Sequence, residues 1–393
     1  MRKIILIILL ALAGAHISLC AAATWYVDAS APESGDGTSW ETAFKSIQQG
    51  IDAASHGDTV VVARGFYVGV RFQGKNITLV STNPFEPSMV RDTVIDGLGW
   101  TVVVFSGTED ETCVLSGFTI RGGGHGIYGN GSGATVQNNI ITDNWTDEYG
   151  GGMVGCDGLI QNNIIYGNAA GTGDIYAEPG VGGALYRCDG RIRNNTIVGN
   201  GALGSIVYIP GEGPRWVDGD GGAFFACGGT VQSCIIWANS EPQMSGSSAP
   251  IASLVGAGPQ FVDETNSDFR LRRTSPCIDA GFNDTDLPEF DTAGLPRIMY
   301  GGKSFTVDIG AYEFFYTGVQ TGPGPHDATL VWSFVPDKTY SIFYTDDLLN
   351  WHLAIASFPS FGNTTTSWLD DGTLTGIPPL LAPRRFYRLL ERP

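Results

Sequence analysis

The chain has 393 residues, of which 55 are glycine, about twice the usual share. Charged residues make up 16%, well under the ordinary quarter, while 42% are hydrophobic and 11% aromatic, enough for a packed core. Glycine without a three-residue period excludes collagen, glycine and proline disfavour long helices, and a net charge of −18 disfavours a nucleic-acid partner. A turn-rich, mainly β protein is expected, and a probable acidic polymer partner would have to be met by a cation or a local basic patch.

Arg2 and Lys3 precede an apolar run, Ile4 to Ala15, too short to span a bilayer, and Ala21 and Ala23 frame an A-x-A site. Residues 1–23 are read as a signal peptide, with the mature chain starting at Thr24. Cys20 raises a lipoprotein reading, which the large Leu19 disfavours. The expected location is secreted or cell-surface, with no transmembrane segment and a monomeric state. Residues 24–57 are expected to form an N-terminal cap. Within it 41–54 reads as a helix, because Phe44, Ile47, Ile51 and Ala54 recur at helical spacing, with Ser39 as its N-cap.

The strongest signal is an internal repeat. The segments Gln137-Asn138-Asn139-Ile140-Ile141, Gln161-Asn162-Asn163-Ile164-Ile165, Arg193-Asn194-Asn195-Thr196-Ile197 and Gln232-Ser233-Cys234-Ile235-Ile236 follow one another at 24, 32 and 39 residues. Each is followed by an asparagine: Asn144, Asn168, Asn200 and Asn239. Gly150-Gly151, Gly182-Gly183 and Gly221-Gly222 share the last two spacings, as do Cys156, Cys188 and Cys227. A solenoid of parallel strands over residues 58–260 explains the common register, since each coil buries its face against its neighbours. Asn139, Asn163 and Asn195 are expected to form an amide ladder. The cysteines are expected to stack as buried thiols; a Cys188–Cys227 bridge is the alternative.

These stretches, with Trp25-Tyr26-Val27-Asp28, Gly57-Asp58-Thr59-Val60, Ser275-Pro276-Cys277-Ile278-Asp279-Ala280-Gly281 and Asp308-Ile309-Gly310-Ala311-Tyr312-Glu313, carry a family resemblance. Residues 24–316 resemble secreted right-handed parallel β-helix proteins of the pectate-lyase-like superfamily. Their last part is similar to a choice-of-anchor Q region. The resemblance implies an all-β chain: a right-handed parallel β-helix with an N-terminal capping helix, and 261–316 as its C-terminal cap. Residues 317–326 are read as a linker, because Gly318, Gly322, Pro323, Gly324 and Pro325 oppose regular structure. Alternating patterns beyond it predict a small β-sandwich of about five strands over 327–393. It resembles the appended domains of secreted bacterial surface proteins.

Between each repeat asparagine and the next Gly-Gly lie residues 145–149, 169–181 and 201–220, insertions that pile up at one corner of the solenoid. Trp145, Tyr149, Tyr176, Tyr208 and Trp216 are candidate sugar-binding aromatics. Asp147, Glu148, Asp174, Glu178, Asp218 and Asp220 are candidate Ca²⁺ ligands. Arg187 is the candidate cation for an enolate formed on a uronate, pointing outward if Tyr186 and Cys188 point inward; a salt bridge to Asp157 or Asp189 is the plainer role. His125, in Gly124-His125-Gly126, echoes polygalacturonases, as does Arg191-Ile192-Arg193, but the acid pair of that family is missing. The resulting expectation is an exported β-helix protein that binds a polysaccharide and processes it as a lyase or epimerase. The alternative is a non-catalytic surface or adhesion protein.

Overall fold

The computed structural model describes residues 22–172, 177–209, 212–299, 301–333, 335, 337–360, 365–382 and 385–392. The expected signal peptide, Asp174 and Tyr176 therefore fall outside the described residues, apart from Ala22 and Ala23.

The chain winds as a parallel β-helix with three faces. The first sheet carries eight strands, from Thr24–Val27 and Thr59–Val62 to Arg191–Arg193 and Thr230–Gln232. The second, also eight-stranded, runs from Gly65–Val68 to Leu254–Val255. The third has seven strands, from Val70–Arg71 to Met244–Ser245. A short fourth sheet, Trp145–Thr146, Ala169–Ala170 and Gly201–Ala202, lies between the second and third.

Each face contributes one column of side chains to the interior. Leu115, Val136, Ile160, Ile192 and Val231 are in register on the first sheet. Ile120, Ile141, Ile165, Ile197 and Ile236 are in register on the second. Val103, Ile127, Met153, Leu185 and Phe224 are in register on the third. All are fully buried. Burying such columns drives the winding, because a lone coil has no second surface to cover its apolar face.

The expected amide ladder is present. Asn163 Oδ1 accepts from the backbone N–H of Asn139 (3.0 Å) and Asn195 Oδ1 accepts from that of Asn163 (2.9 Å). A second ladder runs through Asn144, Asn168, Asn200 and Asn239, each accepting from the backbone of the coil before. The left-handed residue of the first turn, however, is the one before the ladder: Asn138, Asn162, Asn194 and Ser233 have φ between 51° and 56°. The two asparagines of each pair thus divide the work, one bending the backbone and the next bonding along the stack. Cys156, Cys188 and Cys227 are free and buried, and the N–H of each of the first two donates to the next sulfur at 3.5 and 3.4 Å. Stacked side chains point the same way, as the free-thiol reading required.

Several expectations change. The first helix is Ile47–Ala53, capped by Ser46 in a reciprocal capping box with Gln49. Ser39 instead accepts from the Thr42 N–H in a local turn. Thr317–Thr321, inside the expected linker, is a strand paired antiparallel with Ala328–Ser333. Its Thr and Val residues favour extension, and the glycines and prolines that follow form only the turn. The sandwich therefore has six described strands in two three-stranded sheets around Leu330, Trp332, Tyr340, Ile342 and Trp368.

Residues 261–316 lie along the flank of the solenoid. Phe261, Phe269, Cys277, Ile278 and Ile309 pack on Ile164, Val198 and Ile235 of the second sheet. Asn162 donates to Phe290 O (2.9 Å), and Phe290 reaches Phe85 of an early coil, ring centroids 5.6 Å apart. The segment is held by a buried ion pair, Arg297–Glu313 at 2.8 Å. Arg191 and Arg193, the polygalacturonase-like pair, are also used here: both bind Asp286, and Arg193 is buried. Among the described residues no helix is long and apolar enough to cross a membrane.

Candidate functional site

The insertion corner joins the second sheet to the third, and the outer face of the third sheet lies beside it. Leu185 takes the inward position on its strand, so Tyr186 points outward, contrary to the sequence reading. Counting alternation back from Cys188 fails because Arg187 is left-handed, with φ of 49°. That one residue turns the chain, so Arg187 and Tyr186 are both directed away from the core.

In register with Tyr186 on neighbouring strands are Tyr128, Val154 and Phe225. Val154 is too short to continue an aromatic row, and Tyr149, coming from the corner, occupies the gap. The Tyr149 ring stacks on Tyr186 at 4.6 Å, and Tyr186 stacks on Phe225 at 5.8 Å. On the other side Tyr149 stacks on His125 at 5.8 Å, and His125 meets Tyr128 at 5.8 Å. The Arg187 guanidinium sits 5.2 Å from the Tyr186 ring centre. The result is one continuous row: Tyr128, His125, Tyr149, Tyr186 with Arg187, and Phe225.

The faces of these rings are turned to one another, so the row presents ring edges and polar tips to a ligand. Burial, with Tyr128, Glu148 and Tyr186 close by, raises the Tyr149 phenol above its usual pKa, and Arg187 opposes that shift. The phenol therefore stays protonated at neutral pH and can donate. His125 Nδ1 lies 3.0 Å from Gly150 O. A carbonyl can only accept, so Nδ1 carries the proton and the neutral ring offers Nε2 as an acceptor. Arg187 forms no ion pair among the described residues; the expected partners Asp157 and Asp189 accept from the backbone N–H groups of Asp189 and Gly228.

His125 and Arg187 thus share one face but stand two coils, about 10 Å, apart along the axis. That is too far for both to act on one sugar ring. Tyr149 lies between them.

The remaining candidates are dispersed. Asp147, Glu148 and Glu178 are exposed at the corner. Asp218 is bonded to the Trp216 indole N–H (2.6 Å), and Asp220 to the Ser245 hydroxyl (2.8 Å). Among the described residues no three His, Cys, Asp or Glu side chains converge, so the described donors do not fit a Ca²⁺ site. Tyr208 and Trp216 are exposed on a hairpin, Ser205–Ile209 with Gly213–Val217. Trp145 is exposed as well, its indole N–H held by Gly171 O at 2.8 Å.

Tyr128 and Phe225 were missed in the sequence, and Tyr186 was placed on the wrong side. The register of the Gly-Gly pairs could have found two of them, since Tyr186 and Phe225 each lie three residues after the second glycine.

A family model described as a right handed beta helix region matches residues 82–270. No curated protein matches the chain. Among solved structures, a pectate lyase, Pel9A, is similar at 14% identity, covering 76% of this chain and 98% of its own, with a TM-score of 0.32. A likeness that distant says nothing about chemistry. The repeats, the three parallel sheets and the family model agree on the fold: the chain carries a right-handed parallel β-helix followed by small C-terminal sheets.

Proposed function

We propose that the protein is exported and binds an anionic polysaccharide along the outer face of its third sheet. The observation that carries this reading is the continuous row from His125 through Tyr149 and Tyr186 to Arg187. Phenol hydroxyls and an imidazole acceptor suit sugar hydroxyls, and a guanidinium without a protein carboxylate suits a uronate. In a protein with a net charge of −18, a polyanion needs such a cation to approach. The insertions beside the row supply walls on a rigid scaffold.

A second reading, cleavage by β-elimination, is favoured by one observation: Arg187 is near enough to Tyr149 to influence its phenol. In that reading Arg187 stabilises the enolate formed when the C5 proton of a uronate is removed, and the Tyr149 phenol protonates the departing glycosidic oxygen. The non-catalytic alternative, a surface or adhesion protein, keeps the binding and lacks the chemistry.

The test is a binding and absorbance screen over uronic and neutral polysaccharides with wild type and Arg187→Ala. Binding to a uronic polymer that weakens tenfold or more in Arg187→Ala supports the site. Double-bond absorbance that falls ~10²–10³-fold in Arg187→Ala supports elimination. Binding to neutral polymers alone, unaffected by Arg187→Ala, refutes the reading.

A further inference from the structure

Beside the row, the insertion corner carries a second feature that involves a residue with no part in the reading above. Trp100 is 81% exposed, the most exposed tryptophan among the described residues, and Trp145 is 54% exposed. Both sit at this corner, in coils separated by a single coil. The backbone records the order: Gly124 N–H donates to Trp100 O at 3.3 Å, and Trp145 N–H donates to Gly123 O at 2.8 Å. Two coil steps put the indoles about 10 Å apart along the axis.

The coil between them has no side chain to fill that space. Its corner is Gly122-Gly123-Gly124. A Cβ on Gly123 would stand 2.4 Å from Trp100 O, and one on Gly122 would stand 2.5 Å from Asp96 Oδ1. Packing thus keeps the floor bare at these two positions. Both indoles are also set in place. Trp100 follows a tight turn in which its N–H donates to Gly97 O (2.9 Å), with Leu98 and Gly99 left-handed, and the Trp145 indole N–H is tied to Gly171 O. Two exposed, fixed indoles flank a glycine-floored depression, with His125 following directly from its floor.

Indole faces bind the apolar face of a pyranose ring. In an extended chain of equatorially linked sugars, successive rings flip, so every second ring presents the same face, at close to the spacing of the two indoles. A chain with a three-residue screw does not. We propose that Trp100 and Trp145 form paired platforms for alternate residues of a β-1,4-linked polyuronate lying along the solenoid axis, with the intervening residue over Gly122-Gly123-Gly124. The inference rests on the polysaccharide reading and adds the linkage class and the direction of the chain.

The experiment measures affinity for oligosaccharides of increasing length cut from a β-1,4-linked polyuronate and from an α-1,4-linked galacturonan. Wild type, Trp100→Ala, Trp145→Ala and Arg187→Ala are compared, and melting temperatures check folding. The expected result is a step in affinity from disaccharide to trisaccharide in the β-1,4 series, where both platforms first engage. Each tryptophan variant should lose about tenfold on the trisaccharide, with melting unchanged. If polyuronate binding depends on Arg187 but not on Trp100 or Trp145, or if the α-1,4 series binds better, the platform proposal is overturned and the site reading stands. If wild type binds neither series, both fail.

Discussion

The two kinds of corner in this solenoid have opposite construction. At the asparagine corner, between the first and second sheets, the turns are short and alike, and the side chains are buried amides bonded along the stack. At the insertion corner, between the second and third sheets, the connections grow from 5 to 13 to 20 residues, and the side chains include exposed indoles and phenols. A buried ladder cannot tolerate variation, because a missing amide leaves donors and acceptors of two neighbours unpaired. A surface corner can vary freely, because its backbone is already satisfied by the coils on either side. The fold is held where the coil is uniform, and ligand chemistry has room where it is not.

The sharpest way to break this comparison is to remove an amide from the ladder. Asn163→Leu leaves Val136 O, Asn195 Oδ1 and the Asn139 N–H without their partner, so a loss of about 4 kcal/mol is expected from several unmade buried bonds. Chemical denaturation measures it, and an unchanged midpoint would remove the ladder from the account.

A smaller effect separates bending from bonding. Asn162 is left-handed, and its amide bonds Phe290 O and Arg297 of the flank segment. Asn162→Gly loses those bonds but keeps the backbone, whereas Asn162→Val loses both. Val should be less stable than Gly by about 1–2 kcal/mol. Equal stabilities would mean that the turn carries no strain.

The flank segment gives the comparison a pH dependence. Burial raises the Asp308 carboxyl to about 7, and Glu313 and Asp291 are raised too, chiefly by burial. A raised acid binds its proton more tightly in the folded state, so its contribution to stability is present at low pH. It is lost as pH rises from the ordinary carboxylate value toward about 7. Melting temperature between pH 5 and 8 should therefore fall more steeply for wild type than for Asp308→Asn. Parallel slopes would show that Asp308 is not titrating in that window.

These contrasts also explain what was legible in the sequence. A ladder needs the same side chain at the same point of every coil, so Asn139, Asn163 and Asn195 announced the solenoid by spacing alone. The row at the third sheet has no such signature. Tyr128, Tyr186 and Phe225 come from strands, while His125 and Tyr149 come from the corner, so their contact exists only after winding. Tyr186 was misplaced because one left-handed residue, Arg187, cancels the alternation of a strand two residues long. The flank position of 261–316 was illegible for a similar reason. Its contacts with Asn162, Arg191 and Arg193 span 93 to 135 residues of sequence, and no local pattern records them.

The division of labour between the corners is tested most directly by Arg187→Ala, measured for melting temperature and for binding to a uronic polymer in the same preparation. Arg187 is exposed and forms no ion pair among the described residues. The account predicts melting within error of wild type and binding weakened at least tenfold. Binding unchanged in Arg187→Ala, or a large drop in melting temperature, would contradict it.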